Sequence, residues 1–117
     1  MIQGNLKWSK SEKEAARFLF DLARQRDYGR LMERVKEFPL EEYDDLWRLR
    51  EFLNMQAKAF DQKYDYRYSR LPRLLAEYAG EGLLQREELE RLGEEKKAYI
   101  AEIMDLGNQF KKHGEEI

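Results

Sequence analysis

The sequence predicts an all-α fold, with four helices per chain, one long central helix that pairs in a homodimer, and a small helical head. Three observations carry this. Only two prolines occur, Pro39 and Pro72, so breakers are sparse. The residues between the breakers are mostly strong helix formers with apolar positions three and four apart. No stretch alternates in the manner of a half-buried strand.

The first helix is expected over 8–38. Ser9 with Glu12 forms a capping box, and Ser11 with Glu14 offers an equally good register. Ala15, Phe18, Leu19, Leu22 and Ala23 mark an apolar stripe, resumed at Leu31, Met32 and Val35. Gly29 weakens the middle by about 1 kcal/mol relative to alanine. Pro39 ends this helix and suits the start of the next.

The second helix is expected over 40–70, with no glycine or proline inside. It would reach roughly 45 Å, too long for a small monomer to cover, and long helices with an apolar seam pair. Its seam is Leu46, Leu49, Leu53, Ala57, Phe60, Tyr64 and Tyr68. Beside it runs a mixed stripe of Trp47, Arg50, Glu51, Asn54 and Lys58. Pro72 opens a third helix over 72–79, "GEGLLQ" is a turn, and a fourth helix covers 85–106. Leu89, Leu92, Tyr99, Ile103, Leu106 and Phe110 form its apolar side, and 107–117 reads as a solvated tail. The whole is expected to be one helical domain.

Bulk properties narrow the function. The chain has 117 residues and a formal net charge of -2, from 22 basic and 24 acidic residues. That balance argues against general polyanion binding, which needs a basic surplus or a basic face. The chain has no cysteine, so thiol chemistry is excluded and a reducing cytoplasm is the natural setting. No signal peptide or membrane-spanning run is visible, so no membrane span is expected.

Catalytic signals are weak. The single histidine, His113, lies in the tail, whereas a helical carboxylate metal site wants two Glu-x-x-His motifs. Glu41, Glu42, Asp44 and Asp45 stand in the first turns of a helix, where they favour the positive end of its dipole. Ser9 and Ser11 read as caps, Ser69 has no base nearby in sequence, and no phosphate loop occurs. No enzyme activity, metal or cofactor is therefore expected.

Two binding readings remain. The stretch "KYDYRYSRLP", residues 63–72, with Arg73 just after it, crowds Lys63, Arg67, Arg70 and Arg73 with Tyr64, Tyr66 and Tyr68, in the manner of a single-strand nucleic-acid surface. Asp61 and Asp65 interrupt it, and Tyr64 and Tyr68 fall on the apolar seam, so no nucleic-acid partner is expected. Trp47 with Arg50 and Glu51 has the composition of an interface hot spot, and equally that of a core tryptophan beside a solvated face.

Residues 43–69, "YDDLWRLREFLNMQAKAFDQKYDYRYS", resemble the signature region of the fluorescence recovery protein family. Asp44-Asp45-Leu46-Trp47-Arg48-Leu49, followed by Glu51-Phe52-Leu53, carries one half of the likeness, and Asp61 with Lys63 through Ser69 the other. Trp8-Ser9 with Glu12, and "EGLLQREELERL" at 81–92, extend it over most of the chain. The resemblance implies a non-enzymatic dimer that binds the C-terminal domain of the photoactivated orange carotenoid protein. Such a protein speeds the return to the orange form and ends quenching at the phycobilisome. It would be cytoplasmic, or peripheral to thylakoids in a cyanobacterium. A second reading keeps the dimer and gives it another protein client, since relatives occur in bacteria without that system.

The seam spacing and the resemblance together give the expected site residues, the resemblance bearing on Leu46, Trp47, Arg50, Glu51 and Ala57 or Lys58. The dimer interface would comprise Leu46, Trp47, Leu49, Arg50, Leu53, Ala57 and Phe60. The partner-binding set would be Trp47, Arg50, Glu51, Lys58, Tyr64, Arg67 and Arg73. Three departures stand out: Arg50 replaces the usual histidine, Ala57 or Lys58 stands where the family has an arginine, and Pro72, Arg73 and Glu77 enter an apolar, aromatic region of the head.

Overall fold

A computed structural model describes the backbone of residues 7–115 and the side chains of 7–105. The expected positions of Leu106, Phe110 and His113 in packing or tail therefore lie outside the described side chains. The described residues form helices and no strand: α1 (Lys10–Lys36), α2 (Tyr43–Lys63), α3 (Leu71–Gly80), a 3₁₀ segment (Arg86–Leu92) and α4 (Glu94–Glu115).

The chain divides into two compact units. One holds residues up to Ala23 and from Tyr66 onward, and the other holds Arg24–Asp65. α1 contributes its first half to the first unit and its second half to the other.

The first unit contains the hydrophobic core. Of the two possible N-terminal boxes, α1 uses Ser9 and Glu12: the Ser9 N–H donates to Glu12 Oε1 at 2.8 Å and the Glu12 N–H to Ser9 Oγ at 3.2 Å. Ala16, Leu19, Phe20 and Ala23 then face inward. α3 opens with Pro72 in its first turn and buries Leu71, Leu74, Leu75 and Tyr78, the three-four spacing of one apolar face. Gly82, at φ 77°, ends it, and the Leu83 N–H reaches back to the Tyr78 carbonyl at 2.8 Å. α3 packs on α4.

The expected fourth helix over 85–106 is two elements. Gly93 adopts φ +85°, which no continuous helix allows, and separates the 3₁₀ segment from α4. This kink lets Leu89, Leu92 and Ile100 all be buried, while Tyr99 and Ile103 are only half-buried. α4 also runs on past Gly107 to Glu115, where a tail was expected.

The sequence reading missed Lys96, which is 1% exposed. Its Nζ donates to the Lys7 carbonyl, lies 3.4 Å from Glu12 Oε2 and stands 5.1 Å from the centre of the Trp8 ring. A buried ammonium requires such partners. They tie the start of α1 to α4.

The second unit is an antiparallel pair, the second half of α1 against α2. Tyr28 stacks on Phe60 at 4.5 Å, Arg34 lies over Phe52 at 4.7 Å, and Phe38 meets Phe52 at 5.6 Å. α2 starts later than Pro39 suggests. Asp45 Oδ2 accepts the N–H groups of Glu41 (2.9 Å) and Glu42 (3.0 Å), and this fixes the helix start at Tyr43.

α2 ends at Lys63, not 70, and at 21 residues spans about 32 Å. Lys63 Nζ and the Tyr64 hydroxyl both donate to Asp27 Oδ2, at 2.8 and 2.7 Å. Tyr66 and Tyr68 belong to the first unit, where Tyr66 meets Phe20 edge-on at 4.9 Å and Tyr68 meets Trp8 at 5.7 Å. These contacts override the helical propensity of the stretch. The tyrosine-rich segment is thus the end of α2 and the connection that follows it.

Candidate functional site

Between residues 24 and 65 only Asp45 and Phe60 are buried. Two helices in contact bury one stripe each and leave the rest of their apolar surface open. On α2 the covered stripe is Asp45, Leu49, Phe52, Gln56, Phe60 and Lys63, all buried or half-buried and spaced by three and four. This is the face turned to α1. The expected seam mixed this stripe with the next, one residue on and so somewhat more than a quarter of a turn away at about 100° per residue.

The outer stripe remains open. It carries Leu46 (52% exposed), Arg50, Leu53 and Ala57, with Trp47 (58% exposed) and Tyr43 (88% exposed) beside it. Tyr28, Met32, Leu40 and Met55 are further exposed apolar side chains of the same unit. Sequence spacing does not give tertiary burial, so these four fall outside the expected site, and spacing alone puts Met32 in one stripe with half-buried Leu31 and Val35.

The expected site residues sort into three groups. Leu46, Trp47, Arg50, Glu51, Leu53, Ala57 and Lys58 are exposed on α2, and Leu49 is half-buried at the edge of the covered stripe. Phe60 does not belong to the open face: at 8% exposure it is packed against Tyr28 and Tyr64 of its own chain. Tyr64 is half-buried and bonded to Asp27. Arg67 and Arg73 are exposed and belong to the other unit.

Local electrostatics organise the start of the open face. Asp45 is held below its ordinary value, first by the Glu42 N–H, then by that of Glu41, with Arg48 at 2.9 Å adding to both. A carboxylate here also meets the positive end of α2. One turn on, the Arg50 guanidinium lies 5.4 Å from the Trp47 ring centre, a cation–π contact that holds both side chains over the open stripe. Among the described residues, no group of three His, Cys, Asp or Glu side chains is placed to hold a metal ion.

An amphipathic helix pair whose outer face is apolar, studded with Trp, Tyr, Met and Arg, has the chemistry of a protein-binding surface.

Comparison with known proteins agrees with the architecture. The family model described as photoprotection regulator fluorescence recovery protein matches residues 8–104. The fluorescence recovery protein of Synechocystis is 36% identical over 101 residues, covering 85% of this chain and 93% of that one. The solved structure of the Fremyella diplosiphon fluorescence recovery protein superposes with a TM-score of 0.75 at 33% identity, covering 83% of this chain and 97% of that one. The Synechocystis structure gives a TM-score of 0.75 at 35% identity, with the same coverage. With the two-unit helical fold, the Asp45-capped α2 and a match over nearly all described residues, the chain belongs to the fluorescence recovery protein family of photoprotection regulators.

Proposed function

We propose that the chain works as a homodimer that binds the C-terminal domain of the photoactivated orange carotenoid protein and speeds its return to the inactive orange form. Quenching at the phycobilisome then ends. The observation that carries the dimer is the absence of a core in residues 24–65, where only Asp45 and Phe60 are buried. A second copy laid on the outer stripe of α2 makes four helices from two, the smallest arrangement in which such helices gain a core. Leu46, Trp47, Arg50, Leu53 and Ala57 form its centre, with Leu49 at its inner edge. Glu51 and Lys58 stand beside it as polar rim.

The action requires no bond chemistry. A partner that binds an intermediate more tightly than the active state lowers the path back. The binder needs only a rigid, correctly shaped surface, and family membership supports that role. No helix among the described residues is long and apolar enough to cross a membrane. This fits a regulator that meets its partner in the cytoplasm, at the thylakoid periphery in a cyanobacterium.

The test is the recovery of photoactivated orange carotenoid protein in the dark, with and without stoichiometric protein. Acceleration is expected, together with a dimeric mass in sedimentation. A folded, dimeric sample that leaves several carotenoid proteins unaffected would sink the recovery role. The same surface would then serve another protein client.

A further inference from the structure

A groove in the first unit plays no part in the proposed recovery function. It lies between the 3₁₀ segment and α4, which pack together on either side of Gly93. Its volume is about 330 Å³, at the lower end of the range for small-molecule pockets. One wall is Arg86, Leu89 and Glu90. The other is Lys97, Ala101, Met104 and Asp105, whose spacing of three and four puts them on one stripe of α4. The floor is apolar: Leu89 is buried and Met104 half-buried, and the small side chain of Ala101 leaves open the space a longer one would fill.

Four charged groups line the groove, two basic and two acidic. Two of them satisfy each other. Lys97 Nζ lies 2.7 Å from Glu90 and 3.9 Å from Glu94 Oε1, and the Glu90 bond joins the two walls. One cation and one anion are left. Arg86 comes four residues before Glu90 and Asp105 eight after Lys97, so they stand on opposite walls, away from that bridge. Among the described residues neither makes an ion pair or hydrogen bond, with the other or with any third group.

We infer that this groove binds a free α-amino acid with an apolar side chain. The carboxylate pairs with Arg86, the ammonium with Asp105, and the side chain covers Leu89 and Met104. The charges decide the class of ligand. A guanidinium fork matches a carboxylate in shape, but a fatty acid or other simple anion would also meet the like charge of Asp105. A simple amine would meet that of Arg86. A zwitterion answers both groups at once, and rejection of the two singly charged classes gives selectivity. A phospholipid head group can carry the same pair of charges, but its two acyl chains exceed a cavity of about 330 Å³.

The test uses the full chain, isotope-labelled and titrated with L-leucine and, separately, with N-acetyl-L-leucine, L-leucinamide and glycine. Saturable amide shifts centred on 86–105 are expected at millimolar leucine. Each of the other three lacks one matched group and should bind about tenfold more weakly or worse. Arg86→Gln should weaken leucine but not leucinamide, which has no carboxylate to lose. Asp105→Asn should weaken leucine but not N-acetyl-leucine, which has no ammonium. Ala101→Phe fills the groove and should abolish binding of all four. The three substituted residues are exposed, so the fold should survive, with circular dichroism as the check. No saturable shift with leucine, or shifts centred elsewhere, would overturn the inference. So would a capped analogue that binds as well as leucine, a folded variant that binds leucine as wild type does, or tighter binding of a short-chain phosphatidylethanolamine. None of these results bears on orange recovery, which is measured without any amino acid.

Discussion

Leu46→Glu is the sharpest perturbation of the open α2 face. Leu46 is 52% exposed in the single chain, so roughly half of its side chain is left for a partner to cover. Covering that half contributes about 1 kcal/mol per copy. A carboxylate in its place brings a desolvation cost of about 3 kcal/mol, which Arg50 four residues on offsets in part. A two-fold interface repeats both terms, for a total of about 8 kcal/mol. Water access at the rim lowers this, and half of it still raises the dissociation constant about a thousandfold, at 1.4 kcal/mol per tenfold. Leu46 makes no part of the buried core of the first unit, so the monomer should keep its helical circular dichroism. Sedimentation equilibrium over a range of concentrations is the assay. A variant that keeps the dimer mass at concentrations where wild type is dimeric would place the interface elsewhere on the chain.

The capped carboxylates make stability depend on acid. Glu12 is lowered chiefly by the Ser9 N–H and Asp45 by the Glu42 N–H, from ordinary values of 4.5 and 3.8. Groups with lowered folded values contribute stability that is full above the unfolded values and lost as pH falls through the folded ones. Melting temperature should therefore drop below about pH 4, and Asp45→Asn should flatten the share that belongs to α2; melts at stepped pH would check both. Lys96→Ala removes the cation that joins Glu12, Trp8 and the Lys7 carbonyl, and should destabilise the first unit by about 2–3 kcal/mol in urea titrations. Gly93→Ala puts a side chain at φ +85° and should cost about 1–2 kcal/mol by the same titration. Its new Cβ would lie 3.7 Å from Glu12 Oε2, an ordinary contact, so strain rather than collision is the cause.

Local signals in the sequence were strong where a single chemical device acts. Pro72 at the start of α3 and the glycine turn before Leu83 each act within a few residues and are readable, and the capping box of α1 is readable down to two registers, of which Ser9–Glu12 forms. The likeness to the family lay in the Asp-Asp-Leu-Trp run and the tyrosine-rich stretch, and it was equally readable. What failed was decided by contacts distant in sequence. Asp27 lies thirty-six residues before Lys63, yet it draws both Lys63 and Tyr64 and so accompanies the end of α2. Phe60 has the spacing of the outer seam, but Tyr28 claims it for the inner stripe. Lys96 sits at an apolar register position of α4 that a charge count assigns to solvent, because its partners, Lys7, Trp8 and Glu12, are at the other end of the chain. The place of Asp45 in the first turn gives its part in meeting the helix dipole; its role in gathering two backbone N–H groups comes only with the loop geometry.

The most direct test of the central claim is the dark recovery rate of photoactivated orange carotenoid protein with wild type and with Leu46→Glu at equal dose. The account predicts that wild type accelerates recovery, and that the variant, monomeric by sedimentation, does so far less. A folded wild-type dimer that leaves the rate unchanged would contradict the recovery role. A monomeric variant that accelerates recovery as well as wild type would contradict the tie between the dimer and the function.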